Sequence, residues 1–364
     1  MNDRALALDF SGGQSPAAVI YREARGESTQ FDGLLSTGNL QIVGDFARLG
    51  RSQLLCINRM TTSGPKLRLF DLSTGHAPCP VVLGEDWGAY EWLNGWVDPN
   101  DWYLAGDFMG LGHDQLVLMN RGGSLGRVMI ADLAAGYPVQ IRYWESWGQS
   151  MWLDGWQDEG DVHLAGDFLG LGHDQWLTIN RGGQHGRIRI SDVKSGQPQH
   201  LYVEKYGDSS LFNGWLDTGD VILAGDFLHR GYDQLLCCDR SNGAGGLMVV
   251  SFHGKKRAPA EVLFTESFQA GSAFSSWFDA GDAQLASDFY GLGHDQLLLV
   301  NRSQVSGGKF LVLDLARGRP LDTRPFENWG QSRISDGFGE MSDIILAGDF
   351  AARGWSQALF LKRR

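Results

Sequence analysis

Three Gly-His-Asp triplets, at His113–Asp114, His173–Asp174 and His294–Asp295, are the first residues to invite a catalytic or metal-binding reading. A histidine beside a carboxylate can serve as a general base or hold a metal ion. In three otherwise matching stretches, Ser52, Tyr232–Asp233 and Ser356 stand at those positions, so the pattern is not general. The chain has no nucleophile elbow, phosphate-binding Gly-rich loop, His-Glu-x-x-His or paired-carboxylate signature.

A second group of residues is aromatic. The stretches EDWGAYEWLNGW (85–96), ESWGQSMWLDGW (145–156), KYGDSSLFNGW (205–215), SFQAGSAFSSW (267–277) and NWGQSRISDGF (328–338) set indoles beside Asp, Asn, Gln and Ser. An indole face stacks on the axial C–H groups of a hexose, while amides and carboxylates hydrogen-bond its hydroxyls. Candidate sugar contacts are therefore Trp87, Trp147 and Trp329, with Gln149 and Gln331 in the Gly-Gln-Ser tails. Trp96, Trp156, Trp215 and Trp277, closing the later part of each stretch, are candidates too. The competing reading makes these rings hydrophobic wedges, each burying about 150–250 Å². The adjacent glycine and regular recurrence of the Asx-Gly-Trp set suit wedges. Both readings stand at this point.

What must position these residues is a repeat. The phrase AGDFMGLGHDQLVLMNR (105–121) recurs six times, with marker aspartates Asp45, Asp107, Asp167, Asp226, Asp288 and Asp349. Their spacings are 62, 60, 59, 62 and 61 residues. A second phrase, such as GRVMIADLAAG (126–136), follows each of the first five copies, is missing after the sixth, and opens the chain as DRALALDFSGG (3–13). The two ends are thus complementary halves of one unit.

Each unit reads as four short strands separated by Gly, Asn and Asp turns. Small residues such as Ala105–Gly106 suit an innermost strand, the apolar run 115–120 a buried second strand, and alternating Val139–Tyr143 an outer edge. The expected fold is all-β, a six-bladed β-propeller of four-stranded antiparallel blades. It occupies 1–364 as a single domain, with a split blade built from 344–364 plus 1–35. Almost no helix is expected.

The Gly-Asp-Phe-x-Gly-x-Gly-x-Asp-Gln-Leu phrase resembles the FG-GAP/VCBS repeat family of integrin-α-like propellers, across all six copies. That resemblance implies a calcium loop with acidic ligands at positions 1, 3, 5 and 9. Here those positions hold Asp107, Met109, Leu111 and Gln115 in the second copy, and Asp288, Tyr290, Leu292 and Gln296 in the fifth. Calcium takes about six to eight oxygens, so neither metal nor cofactor is expected. The surviving aspartate is expected to brace its own turn. The closing arginines Arg59, Arg121, Arg181, Arg240, Arg302 and Arg363 are expected to pair with aspartates of their own or the next blade. The repeat style is also similar to PVL-like propeller lectins and to repeat appendages of bacterial secreted enzymes and toxins, which implies glycan binding.

Composition narrows the function. Glycine makes up 50 of 364 residues without a collagen period, and the formal net charge is −12. A surface of that sign disfavours nucleic acid and anionic membranes as partners. No apolar run is long enough to span a bilayer, and the first residues lack a secretory leader. Cytoplasmic residence, leaderless export and a trimmed secreted domain all stay open. Cys56, Cys79, Cys237 and Cys238 lack framework spacing and read as reduced core residues. Near-identical copies also disfavour catalysis, which needs an acid and a base in unequal roles. The expected function is non-catalytic, lectin-like carbohydrate binding at several equivalent weak sites between blades. The alternative is a protein-interaction scaffold or an accessory domain of a secreted enzyme or toxin.

Overall fold

The computed structural model describes residues 3–13, 17–122, 126–150, 152–182, 186–240, 246–256, 259–267, 277–279, 281–302, 308–316, 327–329, 338 and 340–363. The chain opens on β1 (Asp3–Asp9) and β2 (Ala18–Ala24). Blade 1 follows as β3 (Leu40–Gly44), β4 (Gln53–Ile57), β5 (Pro65–Phe70) and β6 (Val81–Asp86). Blade 2 is β7 (Trp102–Gly106), β8 (Gln115–Met119), β9 (Val128–Asp132) and β10 (Gln140–Glu145). Blade 3 is β11 (Val162–Gly166), β12 (Gln175–Ile179), β13 (Ile188–Asp192) and β14 (Gln199–Glu204). Blade 4 is β15 (Val221–Gly225), β16 (Gln234–Asp239), β17 (Gly246–Ser251) and β18 (Glu261–Ser267). Blade 5 is β19 (Ala283–Ser287), β20 (Gln296–Val300), β21 (Gly308–Leu313) and β22 (Glu327–Asn328). The chain ends on β23 (Ile344–Gly348) and β24 (Gln357–Leu361), which join β1 and β2 as blade 6.

All six sheets have four strands, and every pairing is antiparallel. The fold is a six-bladed β-propeller, and no α-helix occurs among the described residues. Blade 6 has the order β2-β1-β24-β23, with Ala5 opposite Leu361 and Leu8 opposite Ala358. The inner strands touch in a closed circuit, β3 to β7 to β11 to β15 to β19 to β23 and back to β3.

Burial explains why each strand has its composition. The second strands β4, β8, β12, β20 and β24 are buried along their whole length. They carry continuous apolar runs because both faces meet a neighbouring blade. Outer strands such as β6 alternate buried and exposed residues. Near the axis the blades converge, and a Cβ placed on Gly106 would lie 2.9 Å from the Ala165 methyl. A larger residue there would force blades 2 and 3 apart.

The marker aspartates brace their turns. Asp107 accepts the main-chain N–H groups of Leu111 (2.7 Å) and Gly112 (2.8 Å), and Asp45, Asp167, Asp226, Asp288 and Asp349 repeat the arrangement. Gly112 has φ +75°, which glycine adopts without strain. The triplet histidines are braces too. His113, His173 and His294 reach Asp132, Asp192 and Asp314 near the end of the third strand at 3.0, 3.1 and 2.9 Å.

The closing arginines do span to the next blade, but onto main-chain carbonyls rather than the expected aspartates. Arg121 donates to Asp158 O, Arg181 to Leu216 O and Asp220 O, and Arg363 to Asn39 O. The nearby aspartate carboxylates are already engaged. Asp101, for example, accepts the N–H groups of Asp98 and Arg121. The four cysteines are unpaired and buried.

Candidate functional site

The outer corner of a blade is built around a buried ion pair. A cation at the start of the third strand meets a carboxylate at the end of the fourth: Lys66–Glu85 at 3.3 Å, Arg127–Glu145 at 3.8 Å, Lys309–Glu327 at 3.5 Å and Arg4–Glu23 at 3.9 Å. Both partners are at most 5% exposed in each pair. Burying such charges is expensive unless further hydrogen bonds surround them. In three blades the Asx of an Asx-Gly accepts one: Lys66 donates to Asn94 (2.8 Å), Arg127 to Asp154 (2.6 Å) and Arg4 to Asp32 (2.9 Å).

In four of the linkers the first aromatic covers the cation at the start of the third strand. Trp87 lies 4.9 Å from Lys66 Nζ, Trp147 5.1 Å from the Arg127 guanidinium, Tyr206 5.6 Å from Arg187, and Trp329 5.0 Å from Lys309 Nζ. These are cation–π contacts that also keep water from the pair. One face of each ring is therefore occupied. Trp147 is 41% exposed, whereas Trp87 and Trp329 are half-buried. Gln149 is exposed, and its Oε1 accepts the Ser146 N–H at 3.0 Å. Gln331 lies outside the described residues.

The Asx-Gly-Trp set packs instead. Trp96, Trp156 and Trp277 are 1%, 4% and 3% exposed, which leaves no indole face for a ligand. Trp96 and Trp156 wedge into the next blade, where a glycine admits each ring. A Cβ on Gly126 would meet Trp96 at 2.5 Å, and one on Gly186 would meet Trp156 at 2.7 Å. Trp215 is half-buried, and its ring lies 3.2 Å from the position of a Gly246 Cβ. The expectation of ligand contact at Trp96, Trp156 and Trp277 is corrected by this burial.

A concave site opens where blade 2 meets blade 3. Its volume is about 470 Å³, and Trp144, Trp152, Arg142, Gln149 and Ser150 of blade 2 face Gln197 of blade 3 across it. Trp144 is 42% exposed and rests edge-on against buried Trp96, with centroids 5.1 Å apart. Trp152 is fixed from three sides: its Nε1–H donates to Glu145, its ring packs edge-on against Trp176 (5.3 Å), and Arg189 donates to its carbonyl. Arg189 also lies over the Trp156 ring at 4.3 Å, and burial brings its pKa down to about 9. Arg142 is tied to Asp132 at 2.6 Å. The groove thus combines a rigid aromatic wall with amide, hydroxyl and guanidinium groups at its rim.

The equivalent groove between blades 1 and 2 is filled. Tyr137, at the Gln197 position, stacks on Tyr90, at the Ser150 position, with centroids 4.2 Å apart and planes 10° apart. Tyr137 also donates to Glu85 at 3.1 Å. Replacing that tyrosine pair with Gln197 and Ser150 is what opens the site in blades 2 and 3. Sequence reasoning missed Trp144, whose counterparts in blades 1 and 3 are Gly84 and Val203. It also passed over Trp152, although Trp92 stands at its position in blade 1 and likewise donates to the buried glutamate of its blade, Glu85. The Tyr-to-Gln difference in otherwise matched turns was the available signal.

Fold and site together define a six-bladed propeller with unequal inter-blade grooves. Among solved structures, the chain is similar to a lectin of Agrocybe aegerita that recognises non-reducing terminal N-acetylglucosamine. The likeness has a TM-score of 0.54 at 12% identity, over 99% of this chain and 84% of the lectin. A rhamnogalacturonan lyase is similar over 88% of this chain and 64% of its own, at 12% identity and a TM-score of 0.34, too slight to bear on function. No protein-family model matches the chain, and neither does any curated protein.

Proposed function

We propose that this protein is a non-catalytic carbohydrate-binding propeller whose main recognition site is the groove between blades 2 and 3. The observation that carries the reading is the pairing of exposed Trp144 with immobilised Trp152 in a cavity of about 470 Å³ rimmed by Gln149, Ser150 and Gln197. A saccharide presents an apolar C–H face and a ring of hydroxyls, and this groove offers a partner to each. Most small-molecule sites share that division between apolar walls and a few placed polar groups. Trp147, next to Gln149, offers its solvent face to a second sugar unit of a longer glycan. The similarity to a lectin of the same architecture supports the reading.

In this reading the sites are not equal copies, since the Tyr90–Tyr137 stack occupies the corresponding groove between blades 1 and 2. The test is a glycan array followed by calorimetric titration of the strongest neutral hit. Trp144→Ala should weaken that binding at least about tenfold, roughly 1.4 kcal/mol, with melting temperature preserved. A chain that binds no glycan but captures one protein tightly would replace this reading with the scaffold.

A further inference from the structure

The groove between blades 3 and 4 has a different chemistry, and we infer that it is a second subsite taking an anionic saccharide, one bearing a carboxylate or a sulfate. This inference rests on the carbohydrate-binding reading and extends it to a substrate class. The cavity measures about 730 Å³, and its walls include Lys205 and His200 of blade 3 and Lys256 of blade 4. Lys256 stands at the position of Gln197 and Tyr137, as the turn hydrogen bonds Lys255 N to Phe252 O, Gly196 N to Val193 O and Gly136 N to Leu133 O show. Lys205 stands at the position of Ser146, and Leu211 at that of Trp152. One groove position thus holds tyrosine, glutamine and lysine in three successive blades.

The change converts an aromatic site into a cationic one. Among the described residues neither Lys205 nor Lys256 has a carboxylate within ion-pair distance, whereas neighbouring Lys255 is paired with Glu261 at 3.6 Å. The one carboxylate in the wall, Asp208, is turned back to accept the Lys205 main-chain N–H at 2.8 Å. Glu204, beneath the groove, is buried and accepts from Tyr202 (2.8 Å) and Ser209 (2.8 Å). His200 accepts or donates at Ser191 Oγ (3.1 Å), and burial lowers its pKa, so it contributes a neutral imidazole. Two ammonium groups on opposite walls can therefore close on one anionic substituent. The chain's net charge of −12 acts over longer range, and physiological salt screens it beyond about 8 Å.

The experiment uses the full chain and amide NMR with three probes: N-acetylglucosamine, its 6-sulfate and glucuronic acid, with sodium sulfate as the ion control. The 6-sulfate or glucuronic acid should perturb residues 200–208 and 255–256, and Lys205→Gln with Lys256→Gln should weaken that binding at least tenfold. Trp144→Ala should leave it unchanged, and raising salt from 0.05 to 0.5 M should weaken it severalfold. Whichever acid binds more tightly identifies the substituent. Neutral sugar bound between blades 2 and 3 with no anionic sugar between blades 3 and 4 overturns this inference alone. Equal binding of sulfate ion and sugar sulfate reduces the groove to an anion site and overturns its saccharide part. No saccharide in either groove overturns both readings.

Discussion

Ser52 and Asp349, separated by 297 residues, hold each other by two reciprocal hydrogen bonds: Ser52 N–H donates to Asp349 O (2.9 Å), and Asp349 N–H donates to Ser52 Oγ (3.0 Å). Four other joints use an aspartate in the serine's place. Asp114, Asp174, Asp233 and Asp295 accept the N–H groups of Asp45, Asp107, Asp167 and Asp226 at 2.6–2.8 Å. The contact that joins blade 1 to the split blade 6 is thus made like those four joints. Ser52→Ala strands the Asp349 N–H and should cost about 1–3 kcal/mol by chemical denaturation. Ser52→Asp restores the acceptor and should keep most of the stability. Equal losses in both variants would show that the joint has no such role.

The aspartate joints also set a pH dependence. Burial raises their pKa values, to about 6 for Asp174 and Asp233 and to about 7 for Asp295. An unfolded aspartate titrates near 3.8. Between those limits the native state binds more protons than the unfolded one, so each group makes the fold less stable as pH rises from about 4 to about 7. Asp71 and Asp132, held low against the desolvation of burial by Arg51 and Arg142, act only below about 3.8. His163 and His200, whose pKa values burial lowers, oppose the trend. Comparison with Asp295→Asn cancels them. The melting temperature of Asp295→Asn should gain on the native chain between pH 5 and pH 8, and a pH-independent difference would contradict this assignment.

The two kinds of linker tryptophan should separate cleanly. Trp96→Ala empties a site 1% exposed and should destabilise by about 3–5 kcal/mol. Trp147→Ala removes one cation–π contact over Arg127 and should cost about 0.5–2 kcal/mol. Equal effects in thermal denaturation would erase the distinction between wedge and platform.

Gly126 links packing to the groove without lining it. A methyl there would come within 2.5 Å of the Trp96 ring and 2.8 Å of Trp144. Gly126→Ala should therefore displace Trp144, change the near-ultraviolet circular dichroism, and weaken glycan binding about tenfold or more. Native affinity in this variant would mean that Trp144 is not held for binding.

The ring was legible because it is written six times. Period, small inner residues and the divided unit together specify how β24 meets β1, and no other pairing satisfies both ends. The turn role of Asp107 was legible because its loop lacks the other oxygens calcium requires. The arginine straps were misread as salt bridges because sequence shows charge but not which carboxylates are already occupied. The groove was hardest to see. It depends on what is missing, the Tyr90–Tyr137 stack, and on Trp152 being fixed by Arg189 of the next blade, 37 residues on. A repeat-based reading favours what recurs, whereas this site lies where the copies differ.

A crystal structure of the full chain soaked with the strongest neutral saccharide from the array would locate the bound sugar. Sugar density is expected between blades 2 and 3, its C–H face on Trp144 and its hydroxyls within hydrogen-bond reach of Gln149, Ser150 or Gln197. Density confined to the axial opening, or an empty groove at saturating sugar, would contradict this placement.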